Sequence, residues 1–350
     1  MGTAERMRAG YFLGGRRIEL RERPVPCPGE GQVLLRVEAC GVCGTDYHIF
    51  EGTVTRGVVP PVVLGHEIAA RVEAFGPGAE SAGLKVGQFC AVDPVLGCGV
   101  CSWCRAGLTN LCKDPAVIGY RHDGGFAQYM LAPAGKVVPL AEHVGPAGGV
   151  LCETLACVLR GYDRLGFSAG GSAMVLGAGT VGLLWAQLLK SSPCRRLIVT
   201  EPSRFRREKA RRLGADVVAD PRSEDLRALV ERESPGGVDF VIDASGEPAA
   251  IEQAFELLAP AGTLMLFGVC PSGSRLTLAP HEVFQKELRI LGSKMPPGTL
   301  DRAARLIEAG RIACEEIVTA SLGLEQLAEA VSGFNDCRES QVKLSIDPWA

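Results

Sequence analysis

The sequence predicts an α/β protein in which a β-rich region accompanies a doubly wound parallel sheet. Its 350 residues exceed what one hydrophobic core usually serves, so two domains are expected. Residues 32–39 and 68–75 alternate apolar and polar side chains as strands do, among many glycines and prolines. From about residue 155, apolar strands alternate with segments of helical spacing, which is typical of parallel sheets covered by helices.

Each element of the parallel sheet follows from a local pattern. Strands are predicted where short apolar runs occur, at residues 173–176, 197–200, 217–218, 240–243, 263–269 and 289–292. Helices are predicted where apolar residues recur at helical spacing, at 181–190, 204–213, 224–233 and 249–258. Beyond residue 292 the pattern is mixed, with helices expected at 300–309 and 324–334 and a final strand at 341–346.

The composition argues against several classes of protein. Apolar residues make up 47% of the chain and charged residues 22%, which is ordinary for a globular protein. The formal net charge of −3 provides no basic surface for a nucleic acid backbone. No apolar run reads as a membrane span, and the N-terminal residues lack the apolar core of a secretory signal. The chain is therefore expected in the cytoplasm, without nucleic acid or membrane partners.

Four of the 14 cysteines form a motif with the spacing C-x2-C-x2-C-x7-C. Zn²⁺ prefers four thiolates in a tetrahedron, and short spacings let one loop supply several of them. Because the protein would fill every position, such a site would be structural. An iron–sulfur centre uses comparable spacings, and four unrelated buried cysteines are the other alternative. The predicted ligands are Cys98, Cys101, Cys104 and Cys112.

A second set of metal-binding residue types lies in two separate segments. Cys43 opens the segment CGTDYH, and His66 and Glu67 follow a glycine further along the chain. A thiolate, an imidazole and carboxylates from separated segments suit a catalytic Zn²⁺ site that keeps one position open. Taken alone, each residue is more often an ordinary core or surface residue. The cysteine motif and a dinucleotide fingerprint in the same chain favour the metal site.

Residues 177–182 (GAGTVG) form that fingerprint, since they have the pattern G-x-G-x-x-G between a predicted strand and a predicted helix. The glycines allow a pyrophosphate to approach the helix N-terminus closely. Glu201 ends the next strand, where a carboxylate accepts hydrogen bonds from the ribose and repels a 2′-phosphate. NAD is therefore favoured over NADP. The arginines at 204, 206 and 207 weaken this inference, and a solvated helix start is the alternative interpretation of Glu201.

The whole chain resembles the zinc-containing medium-chain dehydrogenase family, most of all its polyol (sorbitol-like) and threonine dehydrogenase branch. The resemblance spans essentially the full length and is carried by GVCGTDYHIFEG, VLGHEIAARVEAFGPG, CGVCSWCRAGLTNLC, DGGFAQYM, GAGTVG and SQVKLSIDP. It implies a β-rich GroES-like catalytic domain made from both chain ends, with a Rossmann domain inserted between them. We therefore expect a catalytic zinc domain at 1–155 and 292–350 and an NAD-binding domain at 156–291.

The resemblance also implies roles for individual residues. Cys43, His66 and the residue 24 positions before Gly177, which is Glu153, would hold the catalytic Zn²⁺. Glu67 is similar to the family's zinc-neighbouring glutamate, which ligates directly or exchanges with water. The remaining roles implied are a proton relay through Thr45 and His48, and cofactor binding by Gly177, Gly179, Thr180, Val181, Gly182, Glu201, Arg206, Gly268 and Val269.

The implied activity is oxidation of a secondary, polyol-like alcohol by NAD, with one catalytic and one structural Zn²⁺ per chain. Polyol enzymes usually show E-P-L where this chain has Thr154 after the glutamate, so an amino-alcohol (threonine-like) or cyclitol dehydrogenase is the nearest alternative. A catalytically silent nucleotide-binding protein and a zinc-free reductase are alternatives from other classes. Candidate pocket residues are Tyr47, Phe50, Tyr120, Arg121 and Lys294.

The resemblance further implies a homodimer or homotetramer. Family members join their Rossmann sheets edge to edge, and residues 263–269 or the neighbouring strand would supply that edge.

Overall fold

The computed structural model describes residues 5–336 and 339–350. The strands are β1 (Arg6–Gly14), β2 (Arg17–Pro24), β3 (Gln32–Gly41), β4 (Val62–Val63), β5 (Glu67–Phe75), β6 (Phe89–Val92), β7 (Val95–Leu96), β8 (Ala116–Val117), β9 (Tyr129–Pro133), β10 (Val137–Pro139), β11 (Ser172–Leu176), β12 (Arg196–Thr200), β13 (Val217–Ala219), β14 (Val238–Asp243), β15 (Leu258–Leu266), β16 (Arg289–Gly292), β17 (Val318–Gly323) and β18 (Lys343–Asp347). The helices are α1 (Gly44–Phe50), α2 (Ser102–Arg105), α3 (Gly145–Leu165), α4 (Thr180–Ser191), α5 (Arg204–Arg212), α6 (Leu226–Glu233), α7 (Pro248–Phe255), α8 (Pro280–Gln285), α9 (Leu300–Glu308) and α10 (Leu327–Ser332). Among the described residues, no helix has the length and apolar character needed to cross a membrane.

A six-stranded parallel sheet in the order β13-β12-β11-β14-β15-β16 forms the nucleotide-binding part. Its inner strands are buried on both faces, as expected for a sheet covered by helices. The sequence prediction of a doubly wound sheet is therefore confirmed. Strand β15 begins at Leu258, inside the helix predicted for residues 249–258, because its first apolar residues also fit the helical spacing of α7.

The β-rich part draws strands from both ends of the chain. Its main sheet has the order β10-β6-β5-β3-β18-β17, and β9 also pairs with β3. Strand β18 lies antiparallel to β3, with Ser345 opposite Gly41. The predicted catalytic domain made from both chain ends is therefore confirmed as a fold class.

Helix α3 connects the two parts and was not predicted from the sequence. It packs against β3 and β5 of the β-rich part and against α4 and β15 of the nucleotide-binding part. Residues 147–159 are buried except for Cys157, so no polar face marks this helix in the sequence. The predicted domain boundaries fall inside α3 and inside β16, and they stay a prediction.

Candidate active site

Cys43, His66 and Glu67 come together at one end of the β-rich sheet. Cys43 precedes the first turn of α1, and Glu67 begins β5 directly after His66. One ligand atom from each residue lies within 4.8 Å of the others. This confirms the spatial proximity that the sequence predicted for these three residues, and the donor set suits Zn²⁺.

Asp46 orients His66 and was missed by the sequence analysis. Its carboxylate is fully buried, accepts the Cys43 N–H at 2.9 Å and lies 3.6 Å from His66 Nδ1. A carboxylate at Nδ1 leaves Nε2 as the nitrogen available to a metal ion. The signal was present in the sequence, because Asp46 stands three residues after Cys43 at the start of a helix.

Glu67 is held by two groups that the sequence analysis also missed. Thr154 of α3 donates its hydroxyl to Glu67 Oε1 at 2.7 Å, and the Lys343 ammonium of β18 pairs with Oε2. Lys343 and Glu67 are both buried. A Cβ atom on Gly41 would collide with Glu67 Oε2, so glycine is required beside this ion pair. Both carboxylate oxygens of Glu67 thus have protein partners.

Glu153 reaches the same region from α3, although it does not belong to the group of three close ligand atoms. The Cys157 thiol, one helical turn further on, donates to Glu153 Oε1 at 3.3 Å. Burial raises the pKa of Glu153 to about 7, while nearby His66 acts in the opposite direction. A buried carboxylate with no cation beside it favours its neutral form, and a metal ion would reverse that preference.

The predicted proton-relay residues both lie on α1. Thr45 Oγ1 is 3.7 Å from Cys43 Sγ, close to the cluster of ligands. His48 lies one turn further along the helix, where its Nδ1 is 3.2 Å from Thr53 Oγ1 and its ring is partly exposed. Thr45 and His48 therefore lie in sequence along α1, from the ligand cluster toward solvent.

The four-cysteine motif forms a second cluster, with all four sulfur atoms within 4.8 Å of one another. Backbone N–H groups donate to these sulfurs: Cys98 N to Cys112 Sγ and Cys101 N to Cys98 Sγ, each at 3.4 Å, and Cys104 N to Cys101 Sγ at 3.5 Å. The Cys104 N–H lowers the pKa of the Cys101 thiol to about 6. Four converging sulfurs with their own N–H donors fit a closed structural Zn²⁺ site.

The glycine-rich turn lies between β11 and α4, as predicted. Gly177 has a φ of +96°, which favours glycine, and a Cβ atom on Gly182 would collide with the Gly177 carbonyl. The turn therefore leaves the N-terminus of α4 open to a pyrophosphate. Thr180 opens that helix, and its hydroxyl lies 3.4 Å from the Val342 carbonyl of the C-terminal segment.

Comparisons with known proteins agree with this geometry. Two family descriptions match the chain, an alcohol dehydrogenase GroES-like domain over residues 29–142 and a zinc-binding dehydrogenase over residues 180–309. An L-threonine 3-dehydrogenase of Pyrococcus horikoshii is 35% identical over 86% of this chain and 87% of its own length. D-arabinitol dehydrogenase 1 of Uromyces fabae is 30% identical over 98% of this chain and 97% of its own. The chain belongs to the zinc-containing medium-chain dehydrogenase family.

A solved structure from Sinorhizobium meliloti 1021, described as a zinc-binding dehydrogenase bound to NADP, extends the comparison. Its TM-score is 0.94 at 33% identity, over 98% of this chain and 100% of that chain. The protein is thus a zinc-dependent dehydrogenase of the polyol and threonine branch, which acts on CH–OH groups of small-molecule alcohols with a nicotinamide dinucleotide. The family match does not favour a silent nucleotide-binding protein or a zinc-free reductase.

In this dehydrogenase, Glu201 follows β12 and is buried. Its Oε2 accepts the Ala178 N–H at 2.8 Å and its Oε1 accepts the Ser203 N–H at 2.9 Å. Arg206 of α5 donates to the Gln341 carbonyl through Nε at 3.1 Å and Nη2 at 2.9 Å. Backbone amides therefore fix the Glu201 carboxylate beside the glycine-rich turn, rather than leaving it as a solvated helix start.

The other predicted cofactor residues lie at the carboxyl end of the parallel sheet, where such sheets bind ligands. Gly268 follows β15, and a Cβ atom there would lie 2.7 Å from the buried Asp243 Oδ2. Val269 is 76% exposed on the same loop, and Val181 lies in the first turn of α4. The loop and the turn are thus at the same edge of the sheet.

The candidate pocket residues have different surroundings. Tyr120 packs its ring against His66, and burial raises the pKa of the Tyr120 phenol. Tyr47 contacts the His48 ring at 5.6 Å between centroids. The other three have separate contacts: Phe50 lines an apolar cavity beside α1, Arg121 pairs with Asp114 at 2.9 Å, and the Lys294 carbonyl accepts the Asn110 amide at 2.7 Å.

Proposed function

We propose that this dehydrogenase oxidises a secondary alcohol that carries a second hydroxyl or amino group, with NAD as the hydride acceptor. The observation that carries this proposal is Glu153. Its Oε1 accepts the Cys157 thiol, and no described residue donates to its Oε2. A carboxylate oxygen available beside Cys43 and His66 suits a polyol better than an apolar alcohol. An amino alcohol is the second candidate, since the 35% identical relative is named a threonine dehydrogenase.

The proposed catalytic ligands are Cys43, His66 and Glu153, with Glu67 behind them as a fourth, exchangeable carboxylate. Zn²⁺ held by these residues would supply a Lewis acid that makes an alcohol proton more acidic, and a bound nicotinamide would supply the hydride acceptor. Asp46 fixes the His66 ring so that Nε2 stays directed at the centre. The four-cysteine cluster holds the second Zn²⁺.

Thr45 and His48 are the proposed route for the proton. The Thr45 hydroxyl can accept a proton at Oγ1 while it donates its own, and it lies beside Cys43. His48 keeps Nδ1 near Thr53, so its Nε2 exchanges the proton with solvent. The residues proposed for the cofactor are Gly177, Gly179, Thr180, Val181, Gly182, Glu201, Arg206, Gly268 and Val269.

We predict that Glu153→Cys retains Zn²⁺ but loses activity toward polyols more than toward simple alcohols. A thiolate still binds the metal, but it is a poorer acceptor for a second hydroxyl. The wild-type enzyme should oxidise a polyol, cyclitol or amino alcohol at least about tenfold more efficiently than ethanol, which corresponds to roughly 1.4 kcal/mol. A panel of such alcohols with NAD, followed by NADH absorbance, measures both effects. A wild-type preference for simple primary alcohols would contradict the proposal.

Glu201 is proposed to set the preference for NAD over NADP. We predict that Glu201→Ala lowers the ratio of kcat/KM for NAD to kcat/KM for NADP at least about tenfold, because it removes the negative charge that repels a 2′-phosphate. Glu208→Ala is the control, since Glu208 is an exposed residue of α5 that pairs with Arg211 at 3.1 Å. A wild-type enzyme that prefers NADP, the dinucleotide bound in the Sinorhizobium meliloti structure, would refute this role and direct attention to the arginines of α5.

We also propose a homodimer or homotetramer, a cytoplasmic location and the domain division at 155/156 and 291/292. Strand β15 is interior, and its neighbour β16 is the edge of the parallel sheet. The exposed Ile290 on β16 and Phe284 on α8 support pairing of this edge with a second copy. Two metal sites that need reduced thiols support the cytoplasm. Light scattering at micromolar concentration measures the oligomeric state.

A further inference from the structure

We propose that the Tyr120 hydroxyl selects substrates that carry a second oxygen or nitrogen next to the carbon being oxidised. The inference deepens the proposed function and rests on it, because it names a side chain that recognises the second group. Its basis is the position of the Tyr120 ring and the lack of a partner for its hydroxyl.

Tyr120 is fixed against a metal-ligand residue. Its ring meets the His66 imidazole edge to face, with 5.7 Å between centroids and 88° between planes. Its backbone is held on both sides, since its N–H donates to the Val117 carbonyl at 3.1 Å and its carbonyl accepts the Val59 N–H at 3.0 Å. A ring held in this way occupies a defined part of the substrate space beside His66.

Among the described residues, Tyr120 forms hydrogen bonds through its backbone and none through its hydroxyl. Phenol groups in partly buried positions usually have a partner, and this one lies within electrostatic range of the charged groups of the catalytic centre. After burial, the pKa of the Tyr120 phenol responds to His66, Cys43, Asp46 and Glu153, in that order. The missing partner is therefore expected to arrive with the substrate.

A substrate with two neighbouring polar groups places one at the catalytic centre and the second within reach of Tyr120 and Glu153. Tyr120 donates its O–H to the second oxygen or nitrogen, and Glu153 Oε2 accepts a hydrogen from the same group. A mono-alcohol leaves the half-buried phenol without a partner when it excludes water from the pocket. Sites built to hydrogen-bond a hydroxyl discriminate strongly against analogues that lack it.

The test compares butane-2,3-diol with butan-2-ol, which differ by one hydroxyl. We expect the wild-type kcat/KM to be at least about tenfold higher for the diol. We expect Tyr120→Phe to lose most of this preference because its kcat/KM for the diol falls. Tyr120→Leu, which removes the ring as well as the hydroxyl, should also lose the preference for the diol. Tyr129→Phe is the matched control, because the Tyr129 ring packs on Trp349 instead, at 5.5 Å.

Zinc content, melting temperature and NADH fluorescence on binding show whether each variant is folded and loaded. A folded Tyr120→Phe variant that keeps the wild-type ratio of diol to mono-alcohol overturns the role of Tyr120 and leaves the proposed function standing. A wild-type enzyme with no preference for the diol or for an amino alcohol overturns the proposed function itself. The two failures are therefore distinguishable.

Discussion

Replacing Lys343 with methionine should destabilise the protein by about 3–5 kcal/mol, the largest effect expected from a single side chain of the active site. Lys343 is 4% exposed and Glu67 1%, so Lys343→Met leaves a buried carboxylate without its cation. Burial lowers the pKa of Lys343, but Glu67 and Cys43 outweigh burial and hold the pKa above its usual value. The ammonium is therefore charged in the native protein. Chemical denaturation of the zinc-loaded enzyme measures the loss.

The control for Lys343→Met is a pair of matched variants. Lys190→Met breaks a partly exposed ion pair with Asp216, 2.6 Å apart, and should cost less than about 1 kcal/mol. The double variant Glu67→Gln with Lys343→Met removes both charges and should recover most of the lost stability, because the penalty comes from the unpaired carboxylate. If Lys343→Met costs no more than Lys190→Met, the buried ion pair does not exist in the folded protein.

The second large effect is expected from Cys101→Ser in the four-cysteine cluster. A structural Zn²⁺ contributes folding free energy directly, and a closed site that loses one thiolate binds the metal far more weakly. We expect the variant to hold one Zn²⁺ per chain where the wild type holds two, and to melt at least about 5 °C lower. Elemental analysis and thermal unfolding measure the two quantities.

Cys27→Ser is the control for this experiment, because Cys27 is an exposed cysteine outside both clusters. It should keep two Zn²⁺ and the wild-type melting temperature. A Cys101→Ser variant that does the same would show that the cluster holds no structural metal. A wild-type protein with one Zn²⁺ per chain would contradict one of the two proposed sites, and a protein with none would contradict both.

Local patterns in the sequence predicted the parallel sheet and the motifs on it, because each strand and each amphipathic helix has its own periodicity. Helix α3 has no such pattern, since its residues are buried around nearly the whole circumference. Its position depends on packing from both parts of the molecule, which one segment of sequence does not encode. Glu153 was therefore identified by the family resemblance and not by its helix.

In the active site, too, contacts between residues close in sequence follow from local patterns, whereas contacts between distant residues do not. Cys43 and Asp46 stand three residues apart, so the capping contact between them follows from local sequence. Lys343 reaches Glu67 only because β18 pairs with β3, and nothing near either residue predicts that pairing. The hydrogen bond from Thr154 to Glu67 likewise depends on α3 packing against the sheet. Asp46 apart, the missed contacts join residues that are distant in sequence.

The place of β18 between β3 and β17 bears on how the protein is made. The ribosome releases β3 early, and β9 pairs with its residues 32–36, but the strand that pairs with Cys40 and Gly41 follows the whole nucleotide-binding segment. During synthesis the parallel sheet can therefore finish folding while the end of β3 at Cys40 and Gly41 is still unpaired, and unpaired strand edges promote aggregation. The catalytic centre receives Lys343 only when β18 docks. Nascent chains halted before residue 343 should thus depend on chaperones, although their nucleotide-binding segment is complete.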